Sequence, residues 1–85
     1  MKFLESIVNM KLNSIRSGEL LQMARQYGIT LTPQEAEAIA QKLRGKNYNI
    51  FDVNQRKNVV NQIATVVGPN RAAQIEQVFL SMTGR

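Results

Sequence analysis

The segment DVNQRKNVVNQIATVV, residues 52–67, admits two readings. Val59, Val60, Ile63, Val66 and Val67 are β-branched, which suits a strand. Two features favour a helix instead. Asp52 and Gln55 have the spacing of an N-terminal capping box. Val60, Ile63, Ala64 and Val67 then recur at three- and four-residue intervals, the period of one helix face. Gly68-Pro69 closes the segment. Read as a helix, it leaves every patterned stretch of the chain α-helical.

On its N-terminal side lies the longest linker, Gly45 to Phe51, in which Ile50 and Phe51 are expected to turn inward and anchor the loop. Before it, Thr32, Pro33 and Glu35 give the strongest helix start in the chain. Thr32 and Glu35 make a capping box, proline suits the first helical position, and Leu31 and Ala36 sit at the staple positions. Ala36, Ile39, Ala40 and Leu43 follow as one face, up to Gly45. A further helix is read from Gly18 to Tyr27, with Ser17 as its cap, Glu19 in its first turn and Gly28 as its left-handed stop. Leu20, Ala24 and Tyr27 form its inward face. The first helix spans Lys2 to Asn13, with Leu4, Ile7, Val8 and Leu12 as its stripe, widened by Phe3 and Met10. The last begins near Pro69 and carries Ala72, Ile75, Phe79 and Met82; Thr83 to Arg85 are expected to fray. The expected architecture is one domain over residues 1–85, a compact all-α bundle of four to five short helices. Its expected core holds Leu4, Ile7, Leu20, Ala24, Ile39, Leu43, Phe51, Val60, Ile63, Ile75 and Phe79.

Composition narrows the function by exclusion. With no histidine and no cysteine, the commonest general base and the usual zinc and thiolate ligands are missing. No phosphate-binding glycine motif occurs. Glu35 and Glu37 are close in sequence, but on a helix they diverge by about 200° and make no catalytic pair. Asp52 and Asn54 lack the glycine and the distal glutamate of a calcium loop. No catalytic, cofactor or metal residues are therefore assigned. The absence of cysteine favours a reducing compartment. The N-terminus has neither the apolar core nor the cleavage site of a signal peptide and is expected to be intact, and no segment has the length of a membrane span. A cytoplasmic protein is expected. A homo-oligomer is compatible with a chain this short.

The net charge of +5 permits an acidic protein, nucleic acid or an anionic surface as partner. Lys42, Arg44 and Lys46 end the third helix, Arg56 and Lys57 begin the fourth, and Tyr48 lies between them. Brought together, these six would hold phosphates and stack a base. The plainer readings are that the cations ending the third helix complement its dipole and that Arg56 and Lys57 simply face water. A helix-turn-helix is rejected. The 29–33 stretch is too long for its turn, and the next helix opens with Gln34, Glu35 and Glu37, of which the two glutamates would present acid to the groove. The amphipathic first helix suits a core better than a membrane surface, because it carries Glu5 and few cations. Eight asparagines and eight glutamines make helix surfaces less strongly hydrated than charged ones and able to serve protein contacts; plain drift in composition gives the same count.

Met1-Lys2-Phe3-Leu4-Glu5, Leu31-Thr32-Pro33-Gln34-Glu35 and Arg44-Gly45-Lys46-Asn47-Tyr48-Asn49-Ile50-Phe51 together resemble the YqfT-like family of small proteins from Bacillus and its relatives. The resemblance covers nearly the whole chain and implies a cytoplasmic bacterial protein. It carries over no active residues. By elimination, the expected function is a small non-enzymatic protein-interaction or regulatory module. The alternative is nucleic-acid association through the basic residues of 42–57.

Overall fold

A computed structural model describes the backbone of residues 2–82 and the side chains of residues 5–81. Among the described residues it contains five helices: α1 (Lys2–Asn13), α2 (Ser17–Gln26), α3 (Pro33–Leu43), α4 (Val53–Val67) and α5 (Pro69–Met82). No strand occurs among the described residues, and the fold is an all-α bundle. The β-branched run is helical. Asp52 caps it by accepting from the Gln55 N–H at 3.0 Å.

Capping explains most of the helix boundaries. At α3, Thr32 Oγ1 accepts from Glu35 N at 3.1 Å while Glu35 Oε1 accepts from Thr32 N at 3.0 Å, so two otherwise unpaired N–H groups are satisfied. At α2 the cap is Arg16, not Ser17, which is the first helical residue. Glu19 accepts from the Arg16 N–H at 3.1 Å, and the Arg16 guanidinium has no acceptor to return the bond. The end of α2 is a full Schellman motif. Ile29 N bonds Ala24 O at 2.8 Å, Gly28 N bonds Arg25 O at 3.2 Å, and Gly28 supplies the left-handed φ of 72°. Ala24 and Ile29 then pack together with Val78. Between α4 and α5 the connection is a single residue, Gly68, at φ 87° and ψ 166°.

The main helix packings are α2 on α3, α3 on α4 and α4 on α5. Ile15, Ile39, Ile50, Val59 and Ile63 are the largest fully buried side chains of the central core. Leu20, Ala24, Ile39, Leu43, Ile63 and Phe79 are buried as expected. Phe51, Val60 and Ile75 are only partly buried and pack against the core from outside. Val59 faces inward ahead of Val60. Ile7 is a correction: it is 48% exposed, because α1 is rotated to bring Val8, Asn9 and Leu12 inward. The expected roles of Lys2, Phe3, Leu4 and Met82, and the fraying of residues 83–85, lie outside the described residues.

One ion pair ties α5 to α3, and a second, within α3, positions an arginine that reaches the α1–α2 turn. Arg71 grips Glu35 with both guanidinium nitrogens, at 2.8 and 2.6 Å, and also donates to Thr30 O at 3.0 Å. Chiefly through the Arg71 hydrogen bonds, then through the Thr32 N–H, the Glu35 carboxyl is held down at about 2. Arg44 joins Glu37 at 3.1 Å and reaches Ile15 O at 3.4 Å, so the end of α3 is fastened to the α1–α2 turn. Gln41 and then Arg44 hold the Glu37 carboxyl below its ordinary value. On the surface, Lys11 pairs with Glu19 between α1 and α2.

Candidate functional site: the groove between α1 and the 45–52 loop

Ile50 has no exposed surface, so its backbone is drawn into the protein where no helix or strand can pair it. Side chains take over that pairing. Asn9 Oδ1 accepts from Ile50 N at 3.2 Å, and Arg56 Nη1 donates to Ile50 O at 3.1 Å. Asn9 Nδ2 in turn donates to Asn49 Oδ1 at 2.9 Å, and the same oxygen accepts from Phe51 N at 3.1 Å. One turn along α1, Asn13 Oδ1 accepts from Asn47 N at 2.8 Å, and the Asn13 carbonyl accepts from Gly45 N at 2.9 Å. Asn47 adopts a φ of 56°, a left-handed conformation that asparagine tolerates. Gln55 does not complete the expected capping box. Its Oε1 accepts from Asn49 N at 2.8 Å and braces the loop instead.

The loop and α1 thus enclose a groove of about 340 Å³, lined by Ser6, Met10, Tyr48 and the four asparagines 9, 13, 47 and 49. Met10 is 69% exposed and Ile7, one turn away, is 48% exposed. Of the six residues singled out for a basic patch, the groove contains Tyr48, whose ring packs partly against the core, and Lys46 is exposed on the loop beside Asn47. Arg44 and Arg56 are turned to carbonyls, with Arg44 also on Glu37, and Arg56 Nε is buried without a partner among the described residues. Lys42 is half-buried on α3, and Lys57 is exposed on α4.

Two further cavities lie near α2 and α5. One, of about 40 Å³, is bounded by core side chains such as Leu20, Ile39 and Phe79. The other, of about 330 Å³, runs past Tyr27, Gln74, Gln77 and Ser81. Among the described residues no group of three carboxylate, histidine or cysteine side chains is placed to hold a metal ion. No helix among them is long and apolar enough to cross a membrane.

A family model described as "Protein of unknown function (DUF2624)" matches residues 1–83. The chain belongs to the DUF2624 family. A Bacillus subtilis (strain 168) relative, named "Uncharacterized protein YqfT", is 33% identical over 79 residues, which is 93% of this chain and 94% of the relative. The YqfT-like resemblance read from the sequence is therefore correct. No solved structure matches the chain. The asparagine contacts that build the groove escaped the sequence reading. The one signal that could have pointed to them was the four-residue spacing of Asn9 and Asn13 on a helix otherwise read by its apolar residues.

Proposed function

We propose that this DUF2624 protein is a small, non-enzymatic protein-interaction module of the bacterial cytoplasm, and that an extended segment of its partner lies in the groove between α1 and the loop. The observation that supports this is the pairing of Met10 and Ile7. They are two large apolar side chains one turn apart, exposed beside a groove walled by amides. Isolated exposed apolar residues are ordinary, but an adjacent pair at the lip of a groove has the composition of an interface. Methionine adapts its shape to a partner, and amides hydrogen-bond a peptide backbone without a heavy desolvation penalty.

Nucleic-acid association is the second reading, and it rests on exposed Lys46 and Lys57. It is the weaker one because Arg44 and Arg56 already hold carbonyls within the fold. It predicts retention of nucleic acid that falls steeply with salt.

The test is site-specific crosslinking in lysate of the native host. A photoreactive residue at position 10 should give a discrete protein adduct. The same residue at exposed position 22 on α2 should not, and Ile7→Asp should remove the position-10 adduct while the helical circular-dichroism spectrum stays unchanged. Equal adducts from both positions, or none from position 10, would refute the reading.

A further inference from the structure

The hydrogen bonds that build the groove use its amides unequally. Asn13 Oδ1 is engaged by Asn47 N at 2.8 Å, which fixes the orientation of that amide and leaves Nδ2 as its free end. Asn49 Oδ1 is engaged twice, by Asn9 Nδ2 at 2.9 Å and by Phe51 N at 3.1 Å, and again Nδ2 is left over. Asn9 has an internal partner at each end, through Ile50 N and Asn49. The fold therefore engages the acceptors of Asn13 and Asn49 and turns N–H donors outward. Among the described residues no carboxylate lines the groove, and Lys46 stands exposed next to Asn47 in the sequence. Met10 offers an apolar contact on the same wall.

The groove offers the Asn13 and Asn49 donors, the unengaged Asn47 amide, the Ser6 hydroxyl and Met10, with exposed Lys46 on the adjoining loop, and this suits an extended peptide that supplies backbone acceptors, an acidic side chain for Lys46 and an apolar one for Met10. Resting on the interaction-module reading above, we propose that the groove recognises an extended acidic peptide segment of a partner protein. Its backbone carbonyls and carboxylates would accept from Asn13 and Asn49 Nδ2, an acidic side chain would lie near Lys46, and an apolar side chain would rest on Met10. A nucleic-acid strand fits less well. Arg44 and Arg56 are tied within the fold, and the Tyr48 ring packs on the core instead of standing open for stacking.

Asparagine-to-aspartate changes test this with little disturbance. Asn13→Asp keeps an oxygen for Asn47 N, and Asn49→Asp keeps one for Asn9 and Phe51, while each replaces the outward donor by a carboxylate oxygen. The full chain, labelled with nitrogen-15, is titrated at low salt with a short peptide of alternating glutamate and serine bearing a central leucine. A lysine counterpart of that peptide and oligothymidylate serve as comparisons. The side-chain NH₂ signals of Asn13 and Asn49 should move with the acidic peptide alone, and each aspartate variant should weaken binding by about tenfold. Equal shifts with the lysine peptide, or unchanged affinity in both variants, would overturn the proposal, and shifts confined to oligothymidylate would replace it with the nucleic-acid reading. The two readings fail separately. If position 10 still crosslinks its partner while the aspartate variants are neutral, the module stands and the acidic class falls. If the acidic peptide binds with the predicted sensitivity but position 10 gives no adduct, acidic recognition stands and the docking at Met10 falls.

Discussion

Ile63 on α4 and Asn9 on α1 both face inward from the middle of a helix, yet they hold the protein by different physics. Ile63 is 1% exposed in a core with Ile39, Val59 and Phe79. Its contribution is apolar burial, which needs no particular partner atom. Asn9 is half-buried and acts through two directed bonds, one to Ile50 N and one to Asn49 Oδ1. Apolar packing on the α3–α4–α5 side is close but not directed at particular atoms. The α1 edge depends on individual donors and acceptors, and its unused ends face solvent. A fold secured by amides thus carries a surface able to bind along the same seam.

The largest effect that separates the two regions should come from Ile63→Ala. Removing a fully buried isoleucine loses its transfer free energy and leaves a cavity, a loss of about 2–5 kcal/mol in urea unfolding. The whole bundle should weaken, with no special effect on α1. Gly68→Ala comes next. At φ 87° and ψ 166° the residue lies in a region essentially restricted to glycine. An added Cβ would meet nothing within 4 Å, so the penalty is conformational and not steric. A loss of about 2 kcal/mol with an unchanged m-value is expected; a neutral result would mean that the α4–α5 joint relaxes freely.

The seam can be tested by itself. Asn9→Ala leaves the buried Ile50 N–H without its acceptor, and a loss of about 1–2 kcal/mol follows. Hydrogen exchange should quicken at Asn49–Phe51 and along α1 while α4 and α5 keep their protection. Uniform acceleration would show that seam and core are one cooperative unit.

These two regions were unequally legible in the sequence. Thr32 with Glu35, Pro33, Gly28 and Gly68-Pro69 have local meanings that hold whatever surrounds them, so the boundaries they mark are correct, whereas the cap expected at Ser17 is Arg16. The inward face of α3 followed from apolar period because apolar neighbours in fact cover it, whereas on α4 the period found Ile63 and Val67 but pointed to Val60 where Val59 is buried. On α1 the same rule selected Ile7, since periodicity weighs hydropathy alone. The observed rotation buries Leu12, packs Val8 and also gives Ile50 N, forty-one residues away, its acceptor in Asn9, a requirement that hydropathy does not register. Arg56 was read as part of a charged surface for the same reason: its carbonyl partner is created by the loop's conformation and leaves no mark in composition. Arg71 escaped notice because nothing local distinguishes it before α5 is set beside α3.

The smallest predicted effect uses pH to separate the regions. The direct hydrogen bonds of Asn9, Asn13, Asn49 and Gln55 along the seam involve no carboxylate, whereas the α3–α5 link depends on one. The Glu35 carboxyl lies at about 2 in the folded protein against an ordinary 4.5. A depressed folded value means that the native state stays ionised where the unfolded chain has already taken up a proton. The link therefore contributes fully above pH 4.5, and its contribution is lost as pH falls from there towards about 2. Solvent and salt screen the pair, so the change is modest and smaller at high ionic strength. Glu35→Gln keeps an acceptor for the Thr32 cap and for Arg71 but has no proton to gain. Its melting temperature should fall less than that of the parent across this window, and the two curves should run parallel below it. Glu19, held low by Lys11, and Glu37, held low by Gln41, respond in the same direction, so the acid slope shrinks in the variant without vanishing. An unchanged slope would place the acid sensitivity in those other carboxylates and leave the α3–α5 link, like the α1 seam, resting on hydrogen bonds that do not depend on charge.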